Sequence, residues 1–308
     1  MAIGKRESSV ADILIASEDI ACVVSTEGGA IWRLEAIVEG KPIALLRPPP
    51  DDHRAVSNTG CFPLVPFGNR VEANVFDFEG RHFALSPNTS GDPHYLHGDG
   101  WLGSWEAVET ASDRTRLIFE QRGPVYAYRA EQRFVACDRT LEVTMSVTND
   151  GDVAMPFGLG WHPFFPLTPK TSLKAPATMF WTEKEGWLPD RLQPRPVDLR
   201  FDSPSPVPRR WVNNGFEGWD GKAAIAWPER GLELHVETQP RMSRYFVFVS
   251  DTVFDPNYRF DFFCFEPMTH AANGHNLPDL GGLKTLRPGG SMSATMRLTW
   301  SDLDTPNS

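Results

Sequence analysis

Four short segments of the chain place acid–base side chains inside apolar or turn-rich surroundings. In Phe260-Asp-Phe-Phe-Cys-Phe-Glu266-Pro267-Met268-Thr269-His270 the glutamate closes an intensely apolar run. A carboxyl desolvated there becomes more basic than one at a surface strand end, which makes Glu266 a candidate general base. In Phe157-Gly-Leu-Gly-Trp161-His162-Pro163-Phe164-Phe165 a histidine stands among aromatics. Such a residue is usually a satisfied core histidine, but the following proline keeps it extended, as at a strand end opening into a cleft. With an unperturbed pKa, roughly a quarter of an imidazole is protonated at pH 7, so His162 near a carboxylate is a competent proton donor.

The segment His94-Tyr-Leu-His97-Gly98-Asp99-Gly100-Trp101 carries two histidines three apart. That spacing invites a metal site with Asp99, but the glycines and the preceding Gly91-Asp92-Pro93 make it a loop without a clear third ligand. A histidine beside a tryptophan suits a sugar better: the ring face packs against C–H groups and the imidazole supplies a hydrogen bond. In Gly60-Cys-Phe-Pro-Leu-Val-Pro-Phe-Gly-Asn69-Arg70-Val, the prolines predict a rigid, irregular edge followed by an Asn-Arg pair. The guanidinium fork fits sugar hydroxyls or a carboxylate. Taken alone, a structural arginine tying down a loop carbonyl explains Arg70 as well.

The elements that must position these groups read as strands. Leu141, Val143, Met145 and Val147 alternate with polar residues before the turn Asn149-Asp150-Gly151-Asp152. Residues 115–121, then Leu232, Leu234 and Val236, then Ala294, Met296, Leu298 and Trp300 repeat the period of two. With 25 glycines and 27 prolines spread along 308 residues, few windows escape both, and long helices have little room. The expected fold class is all-β, a large antiparallel β-sandwich or barrel with few short helices. One domain over 1–308 is expected, with residues 188–208 as a long surface excursion and 302–308 as a frayed tail.

Bulk properties exclude several partners. A net charge of −10 leaves no basic face for nucleic acid. No apolar run is long enough to span a membrane, and the first residues lack the apolar core of a signal, so a cytoplasmic protein is expected. Cys22, Cys61, Cys137 and Cys264 are scattered and read as free thiols in strands. The sequence leaves monomer and homodimer open.

Together the segments resemble the aldose 1-epimerase (galactose mutarotase) family. FPLVPFGNR is similar to its Asn-Arg segment and LHG at 96–98 to its first histidine segment. GLGWHPFF is similar to the second histidine segment, and FEPMTHAANGHN to the glutamate segment. Asn213-Asn-Gly-Phe-Glu-Gly-Trp-Asp220-Gly resembles a fifth segment, which usually opens on a substrate-binding aspartate. The five run in family order from residue 60 to residue 276. The resemblance implies a galactose mutarotase-like supersandwich that interconverts the anomers of a free monosaccharide without cofactor or metal. It implies Glu266 as general base, His162 as general acid, His97 as a group polarising the ring oxygen, and Arg70 with Asn69 and Trp161 at the sugar. Asn213 departs from the pattern, keeping an acceptor oxygen but losing the charge; Asp220 is the alternative carboxylate. Two other readings are carried: a hexose-6-phosphate mutarotase, for which Arg241 and Arg244 are the candidate phosphate ligands, and a sugar-binding or sensor module without chemistry.

Overall fold

The computed structural model describes residues 10–50 and 54–303; residues 304–308, most of the expected tail, lie outside them. Alternating side chains decide the architecture. In a nine-stranded antiparallel sheet the strands run in the order Glu106–Thr110, Arg114–Arg122, Ala127–Cys137, Thr140–Asn149, Ser291–Asp302, Leu232–Gln239, Lys222–Trp227, Ser172–Lys174 and Ser205–Pro206. Leu141, Val143, Met145 and Val147 face inward with Met296, Leu298, Leu234 and Val236. The intervening residues face out and pair across strands, Thr140 with Thr299 and Thr144 with Thr295 at 2.9 Å, and Glu142 with Arg297 at 2.7 Å. One face is wet and one dry, which is the sense of the period of two.

An eleven-stranded sheet packs against that dry face. Its main path runs Asp12–Ala16, Ile20–Ser25, Ile31–Val38, Cys61–Leu64, Gly160–Pro166, Phe262–Met268, Arg244–Val249, Val212–Glu217, Met179–Lys184 and Leu188–Pro194, with Lys41–Ala44 branching from Ile31–Val38. Side-chain donors stitch the layers together: Gln132 to the Gly29 carbonyl, Trp227 to that of Pro166, and Tyr245 to that of Ala175, each at 2.8 Å. The middle strands of this sheet are buried on both faces, which is why Phe262–Met268 reads as a nearly continuous apolar run. Phe263 and Phe265 enter the core between the sheets, while Cys264 and Met268 join a second apolar cluster on the opposite face with Phe62, Leu64, Phe164 and Phe246. Loops cover that second face and turn it into a pocket.

Antiparallel sheets and short helical turns match the expected fold class. Among the described residues the longest helical segment is the five-residue 3-10 turn Pro278–Gly282. Among the described residues no helix is long and apolar enough to cross a membrane. All four cysteines are free and lie in strands. The stretch 188–208 differs from the excursion expected of it: Leu188–Pro194 pairs with Met179–Lys184 at the sheet edge, and Ser205–Pro206 adds to the other sheet. Prolines there are tolerated because an edge strand needs only one set of ladder donors.

Candidate active site

The second face of the eleven-stranded sheet carries a pocket of about 390 Å³ whose lining includes Asn69, Arg70, His97, His162, Asn213 and Glu266. Gly160–Pro166 and Phe262–Met268 are antiparallel neighbours, and the register that pairs Gly160 with Met268 and Phe164 with Cys264 sets His162 opposite Glu266. Their side chains share one face, with His162 Nε2 3.4 Å from Glu266 Oε1. Phe62 and Phe164 clasp the imidazole, their ring centres 4.4 and 4.6 Å from its own. The aromatic packing fixes the ring plane and removes water from both groups.

That dryness sets the protonation states. Burial pushes the Glu266 carboxyl up to about 8, against a smaller opposing pull from the Arg70 charge. Burial pushes His162 down to about 3, with Arg47 and Arg70 acting in the same direction. At neutral pH the substrate-free pair therefore holds one titratable proton, on the carboxyl. The partly protonated imidazole expected from the sequence is corrected here, because desolvation and the Arg47 and Arg70 charges disfavour the imidazolium. Glu266 Oε2 and His162 Nδ1 are buried without a protein partner. Leaving such atoms unmet costs about 1–3 kcal/mol each, a cost that a polar ligand in the pocket can offset.

His97 arrives from the loops. The short ladder pairing Arg70 with Leu96 and Val71 with Tyr95 zips the Asn-Arg segment to the LHG segment. Asn69 and His97 then bond mutually: the His97 N–H donates to the Asn69 carbonyl at 2.9 Å, and the Asn69 N–H donates to His97 Nδ1 at 3.0 Å. An imidazole nitrogen that accepts is unprotonated, so the neutral ring carries its hydrogen on Nε2. Burial, reinforced by His162 and Arg70, keeps His97 neutral, its pKa well below the usual histidine range. Its ring lies 5.1 Å from that of His162 at 88°. The backbone at His97 is left-handed (φ 60°), and Gly98 continues it at φ 71°. A side chain at Gly98 would place its Cβ 2.4 Å from the Val65 carbonyl oxygen, so only glycine fits there.

Arg70 donates from Nε to Asp92 at 2.7 Å, both side chains buried, which fixes the fork while the residue still lines the pocket. Asn69 Oδ1 accepts from the Arg70 N–H at 2.9 Å. Asn213 donates to the Trp187 carbonyl at 3.3 Å and to the Glu183 carboxylate, so its donors are spent within the protein and its oxygen is left for a ligand. Trp211 holds the same carboxylate at 2.7 Å.

Three expectations need correcting. Trp161 does not line the pocket: one residue from His162 on a strand, it points into the core between the sheets. Asp220 is exposed, caps a turn by accepting from the Lys222 N–H at 3.0 Å, and borders a different cleft. Arg244 is neutralised by Glu217 at 2.8 Å, and neither it nor Arg241 lines the pocket. His94, His97 and Asp99 do not converge either: His94 accepts from the Ala73 N–H, His97 from Asn69, and Asp99 is bonded by the Tyr95 hydroxyl. Among the described residues, the group with metal-donor spacing is His162, Cys264 and Glu266, within 4.8 Å of one another. Sequence reasoning missed Phe62, Phe164 and Phe246 as pocket walls, although each alternates with core residues in a quoted or neighbouring strand. Arg47, in the Arg-Pro-Pro-Pro turn, gave no signal.

The sheet pair belongs to a known class. The aldose 1-epimerase family matches residues 12–299, and the chain is a member of that family. It is 47% identical over 279 residues to the uncharacterised protein YphB of Escherichia coli K12, covering 89% of this chain and 93% of that one. A crystal structure of a candidate aldose 1-epimerase from Escherichia coli K12 superposes with a TM-score of 0.91 at 44% identity, covering 96% of this chain and all of the other. A galactose mutarotase-like protein of Clostridium acetobutylicum shares the fold at a TM-score of 0.82 and 16% identity, over 96% and 98% of the two chains.

Proposed function

We propose that this chain is a mutarotase that interconverts the α and β anomers of a free aldose, with Glu266 and His162 as its proton-transfer pair. The observation that carries the reading is the carboxyl and imidazole opposed at 3.4 Å in a pocket sized for a monosaccharide. Ring opening removes the proton of the anomeric hydroxyl and protonates the ring oxygen. The C–O bond breaks with its electron pair going to the ring oxygen, while a lone pair on the hydroxyl oxygen forms the carbonyl. Either transfer alone passes through a high-energy ion, and a donor and an acceptor acting together avoid both.

The pair supplies both from one proton. The reactive form holds it on His162, leaving Glu266 as the base; the resting form holds it on Glu266. The two differ by a transfer across 3.4 Å and have the same total protonation. His97 donates from Nε2 to the sugar near the ring oxygen. Arg70 and the Asn213 oxygen hold hydroxyls, and Asn69 serves chiefly by orienting His97. After rotation about the first carbon–carbon bond, closure on the other face runs the transfers in reverse. A cytosolic location and action without a bound cofactor belong to the same proposal.

The test is polarimetry on freshly dissolved sugars, over hexoses, pentoses and deoxysugars. Accelerated drift that depends on Glu266 supports the reading. A protein that binds sugars but leaves every drift at the solvent rate is a sensor, and the proposal fails.

A further inference from the structure

One wall of the pocket carries a second arginine that the proton transfers do not use. The Arg47 guanidinium carbon lies 4.0 Å from the centre of the Phe164 ring and 4.4 Å from that of Phe262. Its Nη2 donates to the carbonyls of Ser57 and Thr59 at 2.6 and 3.1 Å, which fixes the fork. Among the described residues Nε is buried without a partner, while Nη1 makes no hydrogen bond and stays accessible. Arg70 has its charge met by Asp92; Arg47 has no carboxylate within ion-pair distance among the described residues. Asp255 lines the same wall, and both it and Asp261 act on Arg47 only from farther away.

A guanidinium held on two aromatic faces and half withdrawn from water is an expensive thing to leave uncompensated. The Phe164 ring that carries it also packs on His162 at 4.6 Å, so the guanidinium lies within about 9 Å of the catalytic imidazole. That is roughly the reach of a pyranose ring plus one substituent, at about 1.5 Å per bond. We propose that Arg47 is an anion subsite, and that the substrates are aldoses bearing one acidic group (carboxylate, sulfonate or phosphate) remote from the anomeric carbon. The turnover part of this inference rests on the mutarotase reading; the binding part does not.

Anomer exchange is measured by magnetisation transfer between anomeric protons for glucose, galactose, their uronates, their 6-sulfonates and their 6-phosphates. In the wild-type protein kcat/KM is expected to be at least about tenfold higher for one acidic class than for its neutral parent. The preference should shrink with added salt, because part of it is a charge interaction open to solvent. Arg47→Gln should cut the acidic-to-neutral ratio by roughly 10- to 100-fold, and Arg47→Lys by less, since it keeps the charge without the fork. The panel separates the three acidic groups. Neutral sugars turned over as well as every acidic one, or a ratio unmoved in Arg47→Gln, overturns the proposal. If that variant does not fold, a wild-type preference insensitive to salt overturns it instead. Acidic sugars that bind calorimetrically with an Arg47-dependent affinity, yet show no accelerated exchange, leave the subsite standing and remove the mutarotase reading.

Discussion

His162 and Glu266 occupy opposed positions on two neighbouring antiparallel strands, one face of which is closed off from water by Phe62, Phe164 and Phe246. The proton they share is therefore governed by sheet register. Register is rigid here because a one-residue slip of either strand would drive its polar group into the core between the sheets.

The first consequence is a pH profile. The pair holds its single proton between about 3 and about 8, and only that state offers both a donor and an acceptor. A free-enzyme kcat/KM that is level through neutrality and falls tenfold per pH unit above about 8 is expected. Rates corrected for solvent base catalysis would check it. A rise through pH 8 would mean that the doubly deprotonated pair is the active form.

Substitution separates chemistry from binding. Glu266→Gln and His162→Asn should each lower kcat by about 10²–10⁴-fold and leave sugar affinity within a few-fold. The double variant should be little worse than the poorer single one, because the two act as a unit. A variant of His162 in which only KM rises would make it a binding residue.

Stability should move the opposite way. The Glu266 pKa is raised on folding, from about 4.5 to about 8, so the folded state holds the proton more tightly. This group therefore costs nothing below pH 4.5, and its cost grows as pH rises through the interval to a full value above 8. Glu266→Gln removes that cost. The stability of the variant relative to wild type should climb across the same interval, the gain reaching on the order of 3–5 kcal/mol above pH 8 and showing as a melting-temperature difference that widens with pH. Equal gains at pH 4 and pH 8.5 would show that Glu266 is not strained by ionisation.

Gly98 tests how His97 is held. Gly98→Ala forces a Cβ to 2.4 Å from the Val65 oxygen in a left-handed conformation. A loss of at least about 1–3 kcal/mol is expected, with reduced kcat as the loop carries His97 away. Thermal denaturation together with polarimetry measures both.

Legibility of the sequence followed the period of two. It exposed the strands of the nine-stranded sheet, where one face is wet. It failed in the central strands, where loops bury the second face and apolar residues occupy both parities. There Trp161 looked as close to a sugar as His162, although a strand sends neighbours to opposite sides. Glu266 and His162 were legible as polar residues in apolar company. Their proton distribution was not, because it depends on how completely Phe62 and Phe164 exclude water. Asp220 misled through its type alone, since Trp-Asp-Gly fits a turn as well as a site. Arg47 reaches the pocket from a proline-rich turn far along the chain, and such packing leaves no local pattern.

Asn213 offers a prediction that runs against what the sequence resemblance implies. That resemblance implies an aspartate at this position, by which Asn213→Asp would restore a charged sugar ligand. In this chain the Asn213 amide donates to the Glu183 carboxylate and the Trp187 carbonyl. An aspartate would face both with acceptors only. Burial already raises the Glu183 pKa, partly offset by its bonds to Trp211 and Asn213, and a second carboxylate would add direct repulsion. Asn213→Asp is therefore expected to raise KM by about 10-fold or more and to lower stability by about 1–3 kcal/mol at neutral pH, with partial recovery as pH falls. The paired change Asn213→Asp with Glu183→Gln should restore both, since the glutamine can donate to the new carboxylate. Tighter sugar binding in the single variant would show that Glu183 does not set the polarity of this position.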